Sequence, residues 1–95
     1  MRGYIIVDIT ITDPERYQEY RKSAAVTVEA YGGRYLVRGG KTEKLEGDWD
    51  AGRIVVLEFD SVERARAWWA SEEYRAPKAL RQSASVTRMI LVEGA

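Results

Sequence analysis

The sequence predicts an α+β fold of ferredoxin-like type, in which a four-stranded antiparallel sheet carries helices on one face, within a single domain covering residues 1–95. Three observations predict it. Apolar residues alternate with period two in four short segments and recur at helical spacing in the stretches between them. The order of those segments is βαββαβ, with an extra short helix before the last strand. A chain of 95 residues with 45% hydrophobic content suits one compact core, burying roughly two-thirds of its unfolded surface.

The first strand spans Tyr4 to Ile11. Ile5, Val7, Ile9 and Ile11 form a wholly apolar set against the mixed set Tyr4, Ile6, Asp8 and Thr10, the mark of a strand with one face on a core. Asp13-Pro14-Glu15 starts a helix: Asp13 accepts from free amides, Pro14 fits the first helical position, and Glu15 faces the positive dipole end. Tyr17, Tyr20, Ala24, Val28 and Tyr31 form its apolar stripe, and Gly32-Gly33 ends it by supplying a left-handed residue. Arg34 to Arg38 is a second strand, expected to carry Tyr35 and Val37 on one face and Arg34, Leu36 and Arg38 on the other. Residues Gly39 to Ala51 lack periodicity and hold four acids (Glu43, Glu46, Asp48, Asp50), a loop long for a hairpin. Arg53 to Phe59 is the third strand, with Val55, Leu57 and Phe59 alternating against Ile54, Val56 and Glu58. Ser61 caps a second helix whose stripe is Val62, Ala65, Trp68 and Trp69. Ser71-Glu72-Glu73 reads as a fresh cap for a short third helix carrying Tyr74 and Leu80, and Pro77 is expected to be tolerated only in its first turn. Ser85 to Val92 is the last strand.

Composition excludes several kinds of chemistry. Fifteen basic residues balance fifteen acidic ones, with no His and no Cys. Zero net charge removes the broad electrostatic case for nucleic acid or anionic membrane. Without Cys there is no disulfide framework, zinc finger or thiol nucleophile, and without His no imidazole base or imidazole ligand to haem. No metal site and no cofactor is therefore expected. The apolar run near the start, Tyr4 to Val7, is too short for a signal peptide or membrane span, so the expected setting is cytoplasmic, with no membrane partner.

Helices on one face leave the other face of the sheet open. Strand parity places Tyr4, Ile6, Leu36, Ile54 and Val56 there, a set too apolar to face water alone. A second copy of the chain, packed face to face through a two-fold axis, is the expected cover, which makes these five residues the expected interface of a homodimer. The same parity adds Asp8, Arg34, Arg38 and Glu58. A covered face with charges needs them paired or set in a wet or ligand-filled cavity. One reading is an ion-pair network that fixes register or the dimer; the other is a polar pocket whose arginine forks take a carboxylate or phenolate. The sequence leaves both open.

Among the aromatics, Tyr17 and Tyr20 read first as core residues with hydroxyls at an edge, and secondarily as phenolic acids or donors to a ligand. Trp68 and Trp69 are adjacent, so one belongs to the core and the other to a surface or pocket wall. Trp49, in the long loop, reads as a lid or a subunit contact. The glycine pairs match no phosphate-binding loop. The third strand, with Glu58 where a base would stack, does not fit an RNA-recognition sheet. The acidic loop has no calcium-loop spacing.

Several blocks together resemble a bacterial family, domain of unknown function 1330: Gly32-Gly33-Arg34-Tyr35-Leu36-Val37-Arg38-Gly39-Gly40, Leu45-Glu46-Gly47-Asp48-Trp49, Glu58-Phe59-Asp60-Ser61, and Trp68-Trp69-Ala70-Ser71-Glu72-Glu73-Tyr74 with Leu80-Arg81. The resemblance runs through nearly the whole chain. It implies membership of the dimeric α/β-barrel superfamily, hence a ferredoxin-like protomer in a face-to-face dimer. That superfamily includes cofactor-independent monooxygenases, muconolactone isomerases, haem-degrading enzymes and ligand-sensing domains, and fold kinship does not choose among them. It also implies Arg34, Arg38, Glu46, Trp49, Glu58 and Tyr74 as cleft or interface positions. Pro77 departs from the family pattern next to Tyr74.

The expected function is accordingly a homodimer with a small-molecule cleft between sheet and helices, taking a small organic acid or phenolic ligand. Arg34, Arg38, Trp49, Tyr74 and Tyr17 are its candidate binding residues. As an enzyme it would use Glu58 or Asp8 as a carboxylate base with arginines on an oxyanion. A base raised towards neutrality would support this, whereas tight pairing with arginine would lower the pKa and count against it. A non-catalytic metabolite binder and a purely structural dimer module are the alternatives.

Overall fold

The computed structural model describes residues 1–95. Its elements are β1 (Gly3–Ile11), α1 (Pro14–Ala30), β2 (Arg34–Arg38), β3 (Arg53–Phe59), α2 (Val62–Trp69), α3 (Glu72–Ala84) and β4 (Ser85–Glu93). The sheet order is β2-β3-β1-β4, and every neighbouring pair is antiparallel. This is the ferredoxin-like arrangement, with three helices on one face. The molecule is a slab of 35 × 32 × 17 Å, and its thin dimension is one sheet plus one helix layer. No helix is long and apolar enough to cross a membrane.

Local chemistry explains the helix ends. Asp13 accepts from the Arg16 amide at 3.2 Å, with Pro14 in the first turn. At the other end the Gly33 amide reaches the Val28 carbonyl at 2.9 Å and the Gly32 amide the Glu29 carbonyl at 3.0 Å. This closure requires Gly32 at φ 74°. Ser61 and Ser71 cap α2 and α3 through the amides of Arg64 and Tyr74.

The alternation of β1 and β3 is realised as expected: Ile5, Val7, Ile9, Val55, Leu57 and Phe59 are buried beneath the helices. They meet Tyr17, Tyr20, Ala24 and Val28 of α1, Ala65 and Trp68 of α2, and Tyr74 of α3. Trp68 lies at the centre. Its ring is 4.0 Å from that of Tyr74 and 5.6 Å from Phe59, and its indole N–H donates to Thr27 at 3.0 Å. Trp69, on the next helical position, is exposed.

Two expectations need correction. The third helix is not short: at thirteen residues it is longer than α2, with eight, and Pro77 lies in its second turn. There the missing N–H leaves the Glu73 carbonyl without its partner one turn on, while the buried ring of Pro77 packs in the interior. The second correction concerns β2. Arg34 and Tyr35 oppose Glu58 and Leu57, but Val37 opposes Val56 and Arg38 opposes Val55. A β-bulge at Leu36 inserts one extra residue and inverts the faces of the residues beyond it. Val37 therefore joins the open face, and Arg38 leaves it for the helix side.

Candidate functional site

The open face has an apolar centre with a charged group at each end. Ile6 lies between Val56 and Ile90, and Tyr4 opposite Val92. Leu36, Val37, Ile90 and Val92 are exposed there, and Ile54 is half-buried. The β4 residues Ile90 and Val92 and the bulge-shifted Val37 add to the five expected interface positions.

At one end Glu58 accepts from the Tyr4 hydroxyl at 2.7 Å and pairs with Arg34, its cross-strand neighbour, and with Arg2 at 3.6 Å. The Tyr4 donation and then the Arg34 guanidinium hold the Glu58 carboxyl below the usual range, against the opposing effect of desolvation. The same bond raises the Tyr4 phenol. At the other end Asp8 accepts from the Trp49 indole at 2.8 Å, the Gly52 amide at 2.9 Å and Arg88 at 3.1 Å. These donors, Trp49 foremost, keep its carboxyl low. Asp8 thus takes its guanidinium from β4, where sequence parity had offered Arg38. Tyr4 opposes Glu58 and Asp8 opposes Ile54, so the carboxylates sit four residues apart along the sheet, about 13 Å. They do not form a shared acid/base pair.

The opposite face contains a different constellation. A cavity between α1 and the sheet is lined by Val7, Ile9, Val55 and Leu57 below, Trp68 and Met89 to one side, and Tyr17, Tyr20 and Tyr35 with Arg21, Arg38 and Arg53. No carboxylate lines it, and none of these three arginines forms an ion pair. The Arg38 guanidinium lies 4.2 Å from the Tyr35 ring centre and that of Arg53 5.8 Å from Tyr17. The Nε atoms of Arg21 and Arg53 are buried with no hydrogen-bond partner, an uncommon arrangement for charged donors. Burial raises the Tyr35 phenol despite nearby Arg38, and raises that of Tyr20 far more, so both stay protonated. Beneath the cavity Arg81 donates through Nε to the Tyr74 hydroxyl at 3.3 Å, and the Tyr74 and Tyr20 hydroxyls are 2.7 Å apart.

The sequence-predicted residues therefore divide. Tyr17 and Arg38 meet at the cavity. Tyr74 is wholly buried one layer behind it, reaching it through Tyr20. Glu58, Asp8, Arg34 and Trp49 lie on the open face, and Glu46 is exposed in the loop. Arg21, Arg53 and Tyr35 were missed as site residues, although the signal was present. Arg21 follows Tyr17 by four positions on the buried stripe of α1, and Arg53 shares the parity of Val55 and Leu57. Both are cations at core-facing positions.

Among solved structures, the chain is similar to a protein of unknown function from Rhodopseudomonas palustris, at 19% identity and TM-score 0.79, covering 99% of this chain and 82% of that one. It is similar to SnoaB, a cofactor-independent oxygenase from Streptomyces nogalater, at 11% identity and TM-score 0.67, with 99% and 93% covered. A putative antibiotic biosynthesis monooxygenase from Caulobacter crescentus matches at 18% identity and TM-score 0.58, with 98% and 90% covered. At these identities the likeness establishes the fold alone, a ferredoxin-like sheet with helices on one face. No curated protein matches the sequence. The sequence blocks around Gly32, Trp49, Glu58 and Tyr74 have their counterpart in a family match across residues 2–95, and the chain belongs to the family described as Domain of unknown function (DUF1330).

Proposed function

We propose that this protein is a homodimer that binds a small organic acid or phenolic compound in the cleft between its sheet and its helices. One observation carries the binding reading: three arginines border a tyrosine-walled cavity that holds no carboxylate, and two of them bury an unpartnered Nε. An unsatisfied buried donor costs about 1–3 kcal/mol, and an anionic ligand accepting from these groups recovers that cost.

The cavity as it stands has a volume of ≈ 20 Å³, room for about one water, so an organic ligand must widen its mouth. Arg38 is the wall free to move. It is exposed on a bulged edge strand, held by a ring contact worth about 0.5–1 kcal/mol at such a site. Exchanging the Tyr35 ring for a ligand carboxylate turns Arg38 from a plug into a clamp.

Support for the dimer comes from the open face. The chain exposes 6267 Å², whereas a monomer of 10.8 kDa is expected to expose about 5,500 Å². The excess approaches the roughly 800 Å² that each partner contributes to a standard interface. The exposed Leu36, Val37, Ile90 and Val92 surround half-buried Tyr4, Ile6, Ile54 and Val56, and Trp49 lies beside them. A second copy covers this face with the same residues.

Acid/base chemistry by Glu58 or Asp8 is the weaker reading, because their donors favour the ionised form and make poor bases of them. Their partners suit an ion-pair network that holds strand register. Thermal melting against a panel of small carboxylates and phenols tests the binding function. A bound ligand raises Tm by mass action, and Arg38→Ala is expected to diminish that rise at least tenfold in ligand concentration. No shift across the panel would overturn ligand binding in favour of a purely structural dimer.

A further inference from the structure

The cavity borders a hydrogen-bond chain with more protons than acceptors. Arg81, Tyr74 and Tyr20 bring one Nε–H and two O–H groups to bear on two hydroxyl oxygens. Arg81 only donates, so the Tyr74 oxygen accepts from it. If Tyr20 also donated to Tyr74, the Tyr74 proton would be left with no acceptor in a side chain of zero exposure. If Tyr74 donates to Tyr20, the surplus proton belongs to Tyr20, and neither hydroxyl has any other protein acceptor. Tyr20 is the one member of the chain that lines the cavity. The second arrangement therefore moves the surplus donor from wholly buried Tyr74 to the residue that borders the cavity, and an unsatisfied buried donor is what folding selects against.

We infer that Tyr20 presents its hydroxyl proton to the cavity, so the site selects ligands with a second oxygen acceptor besides the anionic group taken by the arginines. This rests on the cavity being the ligand site. The unpartnered guanidinium nitrogens and the surplus phenol proton are independent features, and both call for an oxygen that accepts. The tyrosine walls favour a flat body between the two oxygens. The class indicated is an aromatic acid whose hydroxyl binds as the phenolate, or a similar unsaturated oxo acid; an amine finds no acceptor side chain among the cavity-lining residues other than phenol oxygens. Tyr74 and Arg81 act here as positioning residues, fixing the direction of the Tyr20 proton through the chain.

The test compares benzoate with 4-hydroxybenzoate by calorimetry, and tracks the ionisation of the bound phenol by its ultraviolet absorbance. A hydrogen bond to a charged acceptor is expected to favour the hydroxylated acid by roughly tenfold or more, and to ionise its phenol at lower pH when bound than when free. Tyr20→Phe should abolish the preference for the hydroxylated acid. Because Tyr20 is buried and its loss can weaken folding, Tyr74→Phe serves as a second probe. It retains the Tyr20 hydroxyl but should move the bound phenol's ionisation back towards its free value. Equal binding of the two acids, or a preference that survives Tyr20→Phe, would overturn the Tyr20 inference and leave the arginine site standing. Failure of both acids to bind at millimolar concentration would overturn the inference and the site together.

Discussion

Glu58 shows how a residue suited by type to catalysis is assigned another task by its neighbours. Tyr4 and Arg34 hold its folded-state pKa below the ordinary value of 4.5. Stability linked to the ionised carboxylate is therefore fully present above that value and lost as pH falls through the lower folded value. Denaturant titrations across the acid range should show a steep loss of stability below about pH 4 in the wild type and a flatter curve in Glu58→Gln. Matching slopes would remove Glu58 from the acid-sensitive set. Arg53 presents the opposite case, a cation whose Nε is buried without a partner. Arg53→Met is expected to stabilise the unliganded protein by about 1 kcal/mol, a rise of about 4–8 °C in Tm, while abolishing the ligand-induced shift. Greater stability with lost binding is the pattern expected of a site residue retained for function.

At the scale of elements, the decisive feature is the extra residue in β2. Without it Arg38 would stand on the open face opposite Ile54, at the Asp8 end of the sheet; with it Arg38 closes the cavity over Tyr35. Deleting Leu36 removes the bulge but keeps Val37 opposite Val56 and Arg38 opposite Val55, so folding and ligand binding should both survive, which melting with and without ligand would show. The turn before β2 is less forgiving. A Cβ on Gly33 would lie 2.6 Å from the Phe59 ring and 2.9 Å from Val28, and Phe59 is wholly buried against Trp68. Gly33→Ala should lower stability by about 1–3 kcal/mol, read as a fall in the denaturation midpoint at unchanged slope.

For the whole molecule, the two-layer slab leaves one side of the sheet without a covering layer. Ile6 is central there, flanked by Val56 and Ile90 on neighbouring strands. Sedimentation at micromolar concentration should report twice the 10.8 kDa chain mass for the wild type and a single chain for Ile6→Arg, since two like charges at a symmetric apolar interface repel and lose water together. A wild-type monomer would remove the dimer, but the cavity lies on the other face of the sheet and would persist.

The amino-acid sequence by itself determined the elements, their order and the buried face of the central strands. Those depend on local periodicity and caps such as Asp13, Ser61 and Gly32, whose effects act within a few residues. It also held, unread, the core-facing parity of Arg21 and Arg53. Only the tertiary structure decided which charges meet. The β2 bulge depends on pairing with β3, on the far side of a long loop, and inverts every side chain beyond it. The partners of Asp8 come from the loop and from β4, brought together by sheet order rather than by spacing. Faces are set by alternation along one strand, but contacts are set by register between strands, and a single added residue changes the second without leaving a mark on the first.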